Sequence, residues 1–293
     1  VIKDDQANPE LGLKLSQELV REKVIATIGF CNTGVAMKSI DVFQSSRTPL
    51  IVPCTTGTPV TTRFPPAESY IFRNAPRDAI QAPFMVDEIV ARGWTRVAIF
   101  ADTTGYGEAG LQDVKKALAR KQLEPVHVGR FDLGVTDVTE QLKEARKAGA
   151  DVIFIYTIAP QNAVIAKGRH ALGWKVPQVG AWALSFPLFI DGAKEAAEGS
   201  LMALSFVAEP TNERRATFLA RYARKFEGPR IPVPMAAAQA YDATYLLAHA
   251  VLSLPGDRLD GPGIKAALEA PMRPYYGVVT TYDKPFGSQD KEA

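Results

Sequence analysis

Two short stretches of this sequence carry side chains suited to holding a negatively charged group. Ile28-Gly29-Phe30-Cys31-Asn32-Thr33-Gly34-Val35 closes an apolar run and opens an amphipathic one, so it reads as the turn from a strand into a helix. A small hydroxyl residue followed by glycine leaves backbone N–H groups free there. Those groups and the helix dipole favour an anion, and a carboxylate suits them well. The plainer reading makes Asn32 or Thr33 an ordinary helix cap. The second stretch, Pro53-Cys54-Thr55-Thr56-Gly57-Thr58-Pro59-Val60-Thr61, follows the next apolar run and is rich in hydroxyls. Alone it also fits a threonine-rich surface turn. Two consecutive strand-end loops, however, lie side by side at the carboxyl edge of a parallel sheet, which is where open α/β folds take their ligands. Together they outweigh the plainer readings.

A third stretch imitates a nucleotide site. Gly105-Tyr106-Gly107-Glu108-Ala109-Gly110 matches G-x-G-x-x-G between a strand and a helix. In a true fingerprint the first glycine turns the chain directly off the strand, so that pyrophosphate sits on the helix N-terminus. Here Asp102-Thr103-Thr104 intervene, and Asp102 would set a carboxylate beside the phosphates. Other enzyme signatures are missing: there is no G-x-S-x-G elbow, no P-loop and no H-E-x-x-H. His127, His170 and His249 are far apart and lack metal-ligand spacing, so no catalytic residue, metal or cofactor is expected. Cys31 and Cys54 both follow apolar runs. They are compatible with two free, partly buried thiols or with a disulfide, whose geometry spacing alone does not establish.

These loops need a scaffold. Short apolar runs alternate with amphipathic stretches, which predicts an α/β fold with mostly parallel strands. Asn8-Pro9 starts a helix, with Leu11, Leu15 and Leu19 forming its apolar stripe. Strands are predicted at 24–28, 49–52, 70–73, 96–101, 126–131, 151–156, 178–181, 201–207 and 277–282. Helices are predicted at 33–44, 78–92, 108–120, 137–148, 161–172, 213–226, 234–252 and 262–268. Val1–Asp5 reads as the end of a strand with nothing before it, so a first strand and helix are expected outside this chain. The 293 residues, 46% hydrophobic, suffice for one large core or two ordinary ones. The net charge of +2 is mixed in sign, without the clustered Lys/Arg of a nucleic-acid binder. No apolar run reaches membrane-spanning length.

At this point the residues resemble a known family, the type I periplasmic binding proteins of the branched-chain amino acid branch. The resemblance covers nearly the whole chain. It is carried by Asp4–Pro9, by Ile28–Gly34, by Pro49–Thr61, by Tyr70-Ile71-Phe72-Arg73, by Asp102–Gly110, by Gln239–Ala243, and by Pro285-Phe286 with Asp290. It implies two doubly wound parallel-sheet lobes joined by three crossings, which close on a small ligand and present it to an ABC permease. One lobe would comprise 1–72 plus 210–273, the other 73–209 plus 274–293. It further implies a monomer in the periplasm, free or lipid-anchored, with no catalytic activity.

Carried over to these positions, the resemblance gives Asn32, Thr33 and Gly34 the ligand carboxylate, with Cys54, Thr55 and Thr56 completing the grip. Tyr106 would reach in from the opposite lobe, and Thr157 and Ile158 would line the far wall. Amino-acid binders of the family place an acidic residue after the strand corresponding to 178–181, where it neutralises the ligand's ammonium. Trp182 falls at that position here. A buried ammonium without a counter-charge is costly, whereas indole offers a flat apolar face and one N–H donor. The expected ligand is therefore a carboxylate without an α-amino group, an aromatic acid. Asp191 and Glu209 are the residues to supply a charge if the correspondence is shifted. Rival readings are a branched-chain amino acid binder, a ligand-sensing receptor domain on the same fold, and a nucleotide-dependent enzyme built on Gly105–Gly110.

Overall fold

A computed structural model describes residues 1–228 and 230–293. The chain forms two compact units, one of Val1–Pro76 with Ser205–Ala293 and one of Arg77–Leu204.

The first unit opens with α1 (Pro9–Arg21), whose N-cap Asn8 accepts hydrogen bonds from the amides of Glu10 and Leu11. Then come β1 (Thr27–Ile28), α2 (Thr33–Ser45), β2 (Leu50–Val52), the single turn α3 (Pro59–Thr62) and β3 (Ile71–Arg73). The strands form a parallel sheet in the order β1-β2-β3. Leu50, Val52 and Ile71 pack with Ala36, Ile40 and Phe43 of α2 on one side. β1 is shorter than the predicted 24–28.

The second unit follows as α4 (Asp78–Ala91), β4 (Val97–Asp102), α5 (Gly105–Arg120), β5 (His127–Phe131), α6 (Thr139–Lys147), β6 (Val152–Tyr156), α7 (Ala159–Ala171), β7 (Gln178–Gly180), α8 (Pro187–Ala193) and β8 (Leu201–Met202). Its sheet is parallel throughout, in the order β5-β4-β6-β7-β8. Ala98, Phe100, Ile153 and Ile155 pack against Leu142, Ala145 and Ile165 of α6 and α7. The alternate residues Val97, Ile99, Val152 and Phe154 are buried as well. This continuous burial is what a parallel sheet covered on both faces requires. α8 was not anticipated. It packs Phe189 and Ala193 on Ala159, Ala163 and Ala166 of α7, and seven residues are too few to show a helical period.

The chain then returns to the first unit with α9 (Glu213–Phe226), α10 (Pro234–Leu252), α11 (Gly261–Glu269) and the antiparallel pair β9 (Tyr275–Tyr276) and β10 (Thr281–Tyr282). This corrects the expected division. The boundaries lie at 76/77 and 204/205 rather than 72/73 and 209/210, and residues 274–293 belong to the first unit. The reason is packing. Tyr282 and Phe286 enter the core formed by Ile51, Phe72, Leu246 and Leu268. Buried Asp242 accepts hydrogen bonds from the amides of Val278 and Val279 at 2.8 and 2.9 Å and so fixes the turn between β9 and β10. Residues 277–282, predicted as one strand, are that turn with β10 at its end. Among the described residues no helix is long and apolar enough to cross a membrane, and no His/Cys/Asp/Glu group could hold a metal ion.

Candidate functional site

In the first unit, the two hydroxyl loops come together. β1 pairs with β2, so the loops after them leave the same sheet edge. Cys31 and Cys54 form a disulfide between the loops, with Cα atoms 4.6 Å apart. The amide of Thr55 donates to the carbonyl of Phe30 at 3.2 Å. Gly57 sits so close to Thr33 that a Cβ there would lie 2.3 Å from Cγ2 and 2.8 Å from Oγ1 of the threonine. Arg73, fully buried, donates to the Gly57 carbonyl at 2.8 Å and to Thr61 Oγ1 at 2.6 Å, and pairs with Glu292 at 2.5 Å. A parallel bridge joins Arg73 to Glu292 through the backbone. The second loop is thus held from three directions.

Part of the hydrogen-bonding capacity of these loops is unspent. Asn32 occupies the N-cap of α2, yet its side chain makes no cap hydrogen bond. The plain cap reading therefore fails for Asn32, and the first-turn N–H groups of α2 remain available. The hydroxyls of Thr33 and Thr55 are buried without a hydrogen-bond partner. Thr56 is buried too. Buried polar groups are nearly always satisfied, and two orphan hydroxyls beside a helix N-terminus without a side-chain cap are donors that an acceptor-rich anion could use.

In the second unit, the expected residues stand at the carboxyl ends of β4, β6 and β7, which are neighbours in the sheet. Asp102 ends β4. Its Oδ1 accepts from the amide and hydroxyl of Thr104, and its Oδ2 from the Thr157 hydroxyl at 2.7 Å. Tyr106 lies in the first turn of α5, its ring 5.1 Å from that of Tyr156. Burial, with the charges of Asp78 and Asp102 adding, holds the Tyr106 hydroxyl pKa well above the usual tyrosine value. The group stays protonated and is a donor, and among the described residues it has no hydrogen-bond partner. Tyr156 donates to buried Asp78 at 2.8 Å. Ile158 is the N-cap of α7, and Trp182 opens a 3₁₀ turn after β7, buried. Asp191 and Glu209 are both exposed.

The glycine-rich motif has a packing explanation. It forms the first turns of α5, capped by Thr104, rather than a loop ahead of a helix. A Cβ on Gly107 would meet the Asp102 carbonyl oxygen at 2.2 Å, and one on Gly110 would meet the Tyr156 ring at 1.9 Å. Both glycines permit close approach of α5 to the strand ends.

Sequence reasoning missed several supporting residues. Gly57, Arg73 and Glu292 position the second hydroxyl loop, and Asp78 holds Tyr156. Asn162, in the first turn of α7, is buried with an unpartnered Oδ1. Only the Asn162 position was accessible in advance, as a polar residue one turn after a strand-end loop.

The comparisons with known proteins decide the family. The family model described as "Periplasmic binding protein" matches residues 1–291. The chain belongs to the periplasmic binding protein family. Within it, a relative named Leu/Ile/Val-binding protein homolog 3, from Brucella melitensis, is 27% identical over 62% of this chain. The match spans about half, 49%, of that relative's length. A type 1 periplasmic binding protein of Bordetella pertussis superposes with a TM-score of 0.85 at 23% identity, covering 98% of this chain and 80% of that one. An ABC-transporter solute binding protein from R. palustris, solved in complex with benzoate, gives 0.84 at 20% identity, covering 98% and 78%. At these identities the structural likeness is one of fold.

Proposed function

We propose that this chain is the ligand-capturing component of an ABC importer in the periplasm, that it acts without covalent chemistry, and that its ligand is a small carboxylate, an aromatic acid. The observation that carries the reading is the uncapped N-terminus of α2 with the orphan hydroxyls of Thr33 and Thr55 beside it. That arrangement supplies donors and a positive dipole end for one carboxylate. Tyr106, Thr157, Ile158 and Trp182 supply the remaining ligand contacts in this proposal.

The aromatic assignment rests on charge. An α-ammonium needs a carboxylate partner when desolvated. Of the buried carboxylates in the second unit, Asp78 at the start of α4 accepts a hydrogen bond from Tyr156, and Asp102 at the end of β4 accepts from Thr104 and Thr157. Trp182 stands where an acid was sought. The benzoate complex of a protein with this fold is consistent with such a ligand. A branched-chain amino acid is the second reading, favoured by the name of the Brucella relative.

The test is a thermal-shift screen of benzoates and phenylpropanoids against leucine, isoleucine and valine. A ligand at about 100 times its Kd adds roughly 2.7 kcal/mol of stability. Stabilisation by aromatic acids alone is expected. Stabilisation by leucine or valine alone would overturn the aromatic assignment and keep the receptor. No response from either panel would overturn the receptor reading.

A further inference from the structure

Helix α9 is built unlike any other helix of the chain. Of its fourteen residues only Phe218 is buried. It carries Arg214, Arg215, Arg221, Arg224 and Lys225 against the single acid Glu213, more positive charge than the net +2 of the whole chain. Several other surface cations have an acidic partner, as do Arg63 with Asp41, Arg92 with Glu88, and Lys121 with Asp87. Among the described residues, Arg221, Arg224 and Lys225 make no ion pair.

Its apolar stripe is aromatic and only half covered. Phe218, Tyr222 and Phe226 follow one another at i, i+4 spacing, with ring centroids 6.2 and 4.6 Å apart. Tyr241 of α10 stands 5.3 Å from Phe218, and Tyr245 continues the row 4.9 Å farther on. Between the two helices runs a groove of about 450 Å³, floored by Phe218, Tyr222, Phe226 and Tyr241 and edged by Arg221 and Lys225. Phe226 is 58% exposed and Tyr245 39%. An amphipathic helix normally buries its apolar stripe, and contiguous exposed aromatic surface rimmed by charge marks an interaction site.

We propose that the α9–α10 groove docks an acidic, amphipathic segment of a partner protein. Its apolar side chains would seat among Tyr222, Phe226 and Tyr241, and its carboxylates would meet Arg221, Arg224 and Lys225. Charge complementarity selects an acidic occupant. The concave shape and the Tyr, Phe and Arg lining select a protein over a bilayer, since these residues are enriched in protein interfaces and hot spots, whereas an interfacial membrane helix presents a protruding apolar face. The proposal is independent of the ligand assignment.

The probe is a fluorescent helical peptide of glutamate and leucine, with leucine at i, i+3 and i+4 spacing, titrated against the full chain by anisotropy. Its glutamine-for-glutamate analogue is the control. The acidic peptide is expected to bind at least about tenfold more tightly than the control, with an advantage that shrinks as salt rises. Arg221→Glu/Lys225→Glu is expected to abolish that advantage, and Phe226→Ser to weaken the acidic peptide about tenfold. All three positions are exposed, and an unchanged melting temperature shows that the variants fold. Equal binding of both peptides, or binding unaffected by these variants, overturns the proposal. So does preferential binding to phosphatidylglycerol vesicles over phosphatidylcholine ones that the same variants abolish while peptide binding stays weak, since the occupant is then a membrane.

Discussion

Thr33 concentrates the energetics of the proposed ligand grip. Its hydroxyl is buried and unpartnered, so the protein bears a desolvation cost that a ligand carboxylate would relieve. Thr33→Ala and Thr56→Ala are each expected to weaken carboxylate binding by about 1–3 kcal/mol in calorimetric titrations. Gly57→Ala reaches the same grip indirectly: its methyl would intrude on Thr33 at 2.3 Å, displacing the hydroxyl. A loss of about tenfold in affinity, about 1.4 kcal/mol, together with a lowered melting temperature from the overpacking, is the expected result. His127 gives a separate pH signature. Burial lowers its pKa, so the folded state favours the neutral ring while the unfolded chain takes up a proton more readily. Stability contributed by neutral His127 is present above the ordinary histidine value and is lost as pH falls through it. The melting temperature should decline between about pH 7 and pH 5, and His127→Phe, beside Phe100, should flatten that decline.

At the scale of elements, the alternation of apolar runs and amphipathic stretches was enough to foresee most strands and helices, including α9 and α10 to the residue. Both hydroxyl loops were legible because their residue types are themselves the chemistry. What supports them was not. Arg73 reads as the polar end of a short strand, and nothing in its neighbourhood announces Glu292, which is distant in sequence. Long-range ion pairs leave no periodic trace, and neither does the clash that forbids a side chain at Gly57. The disulfide stayed open for a related reason, since pairing depends on a Cα separation that only the folded β1–β2 edge provides. The Arg73–Glu292 pair is mostly buried, at 0% and 17% side-chain exposure. Glu292→Gln removes one charge from this mostly buried pair and is expected to be destabilising by about 3 kcal/mol in urea denaturation. It should also loosen carboxylate binding, because Arg73 is what holds Gly57 and Thr61.

At the scale of the whole molecule, the family and the α/β class followed from the sequence, whereas the allotment of the last twenty residues did not. The notion of a late return to the second lobe failed because Tyr282 and Phe286 are apolar residues with a vacancy to fill between β2, β3 and α10, and no sequence period reveals which core an isolated aromatic will join. The disulfide adds a whole-molecule consequence as well. Closing the loop between Cys31 and Cys54 should contribute about 3 kcal/mol to the first unit, so Cys31→Ser/Cys54→Ser is expected to lower the transition of the first unit and leave that of the second unit in place. Differential scanning calorimetry would check this, and a shift of both transitions together would contradict it.

The second unit is an insertion: a continuous run from Arg77 to Leu204 interrupts a first unit to which Tyr282, Phe286 and Glu292 also contribute. During synthesis the inserted unit has every one of its strands available while its host still lacks two helices of its core and the carboxylate that pairs with Arg73. Assembly therefore runs from the inside of the sequence outward, with the interrupted half waiting, one face of β2 and β3 covered only by α2, for the residues that follow Ser205. For such a chain, the vulnerable period spans the insertion from Arg77 to Leu204 and the helices after it, and a chaperone that shields the early half has that whole length over which to act.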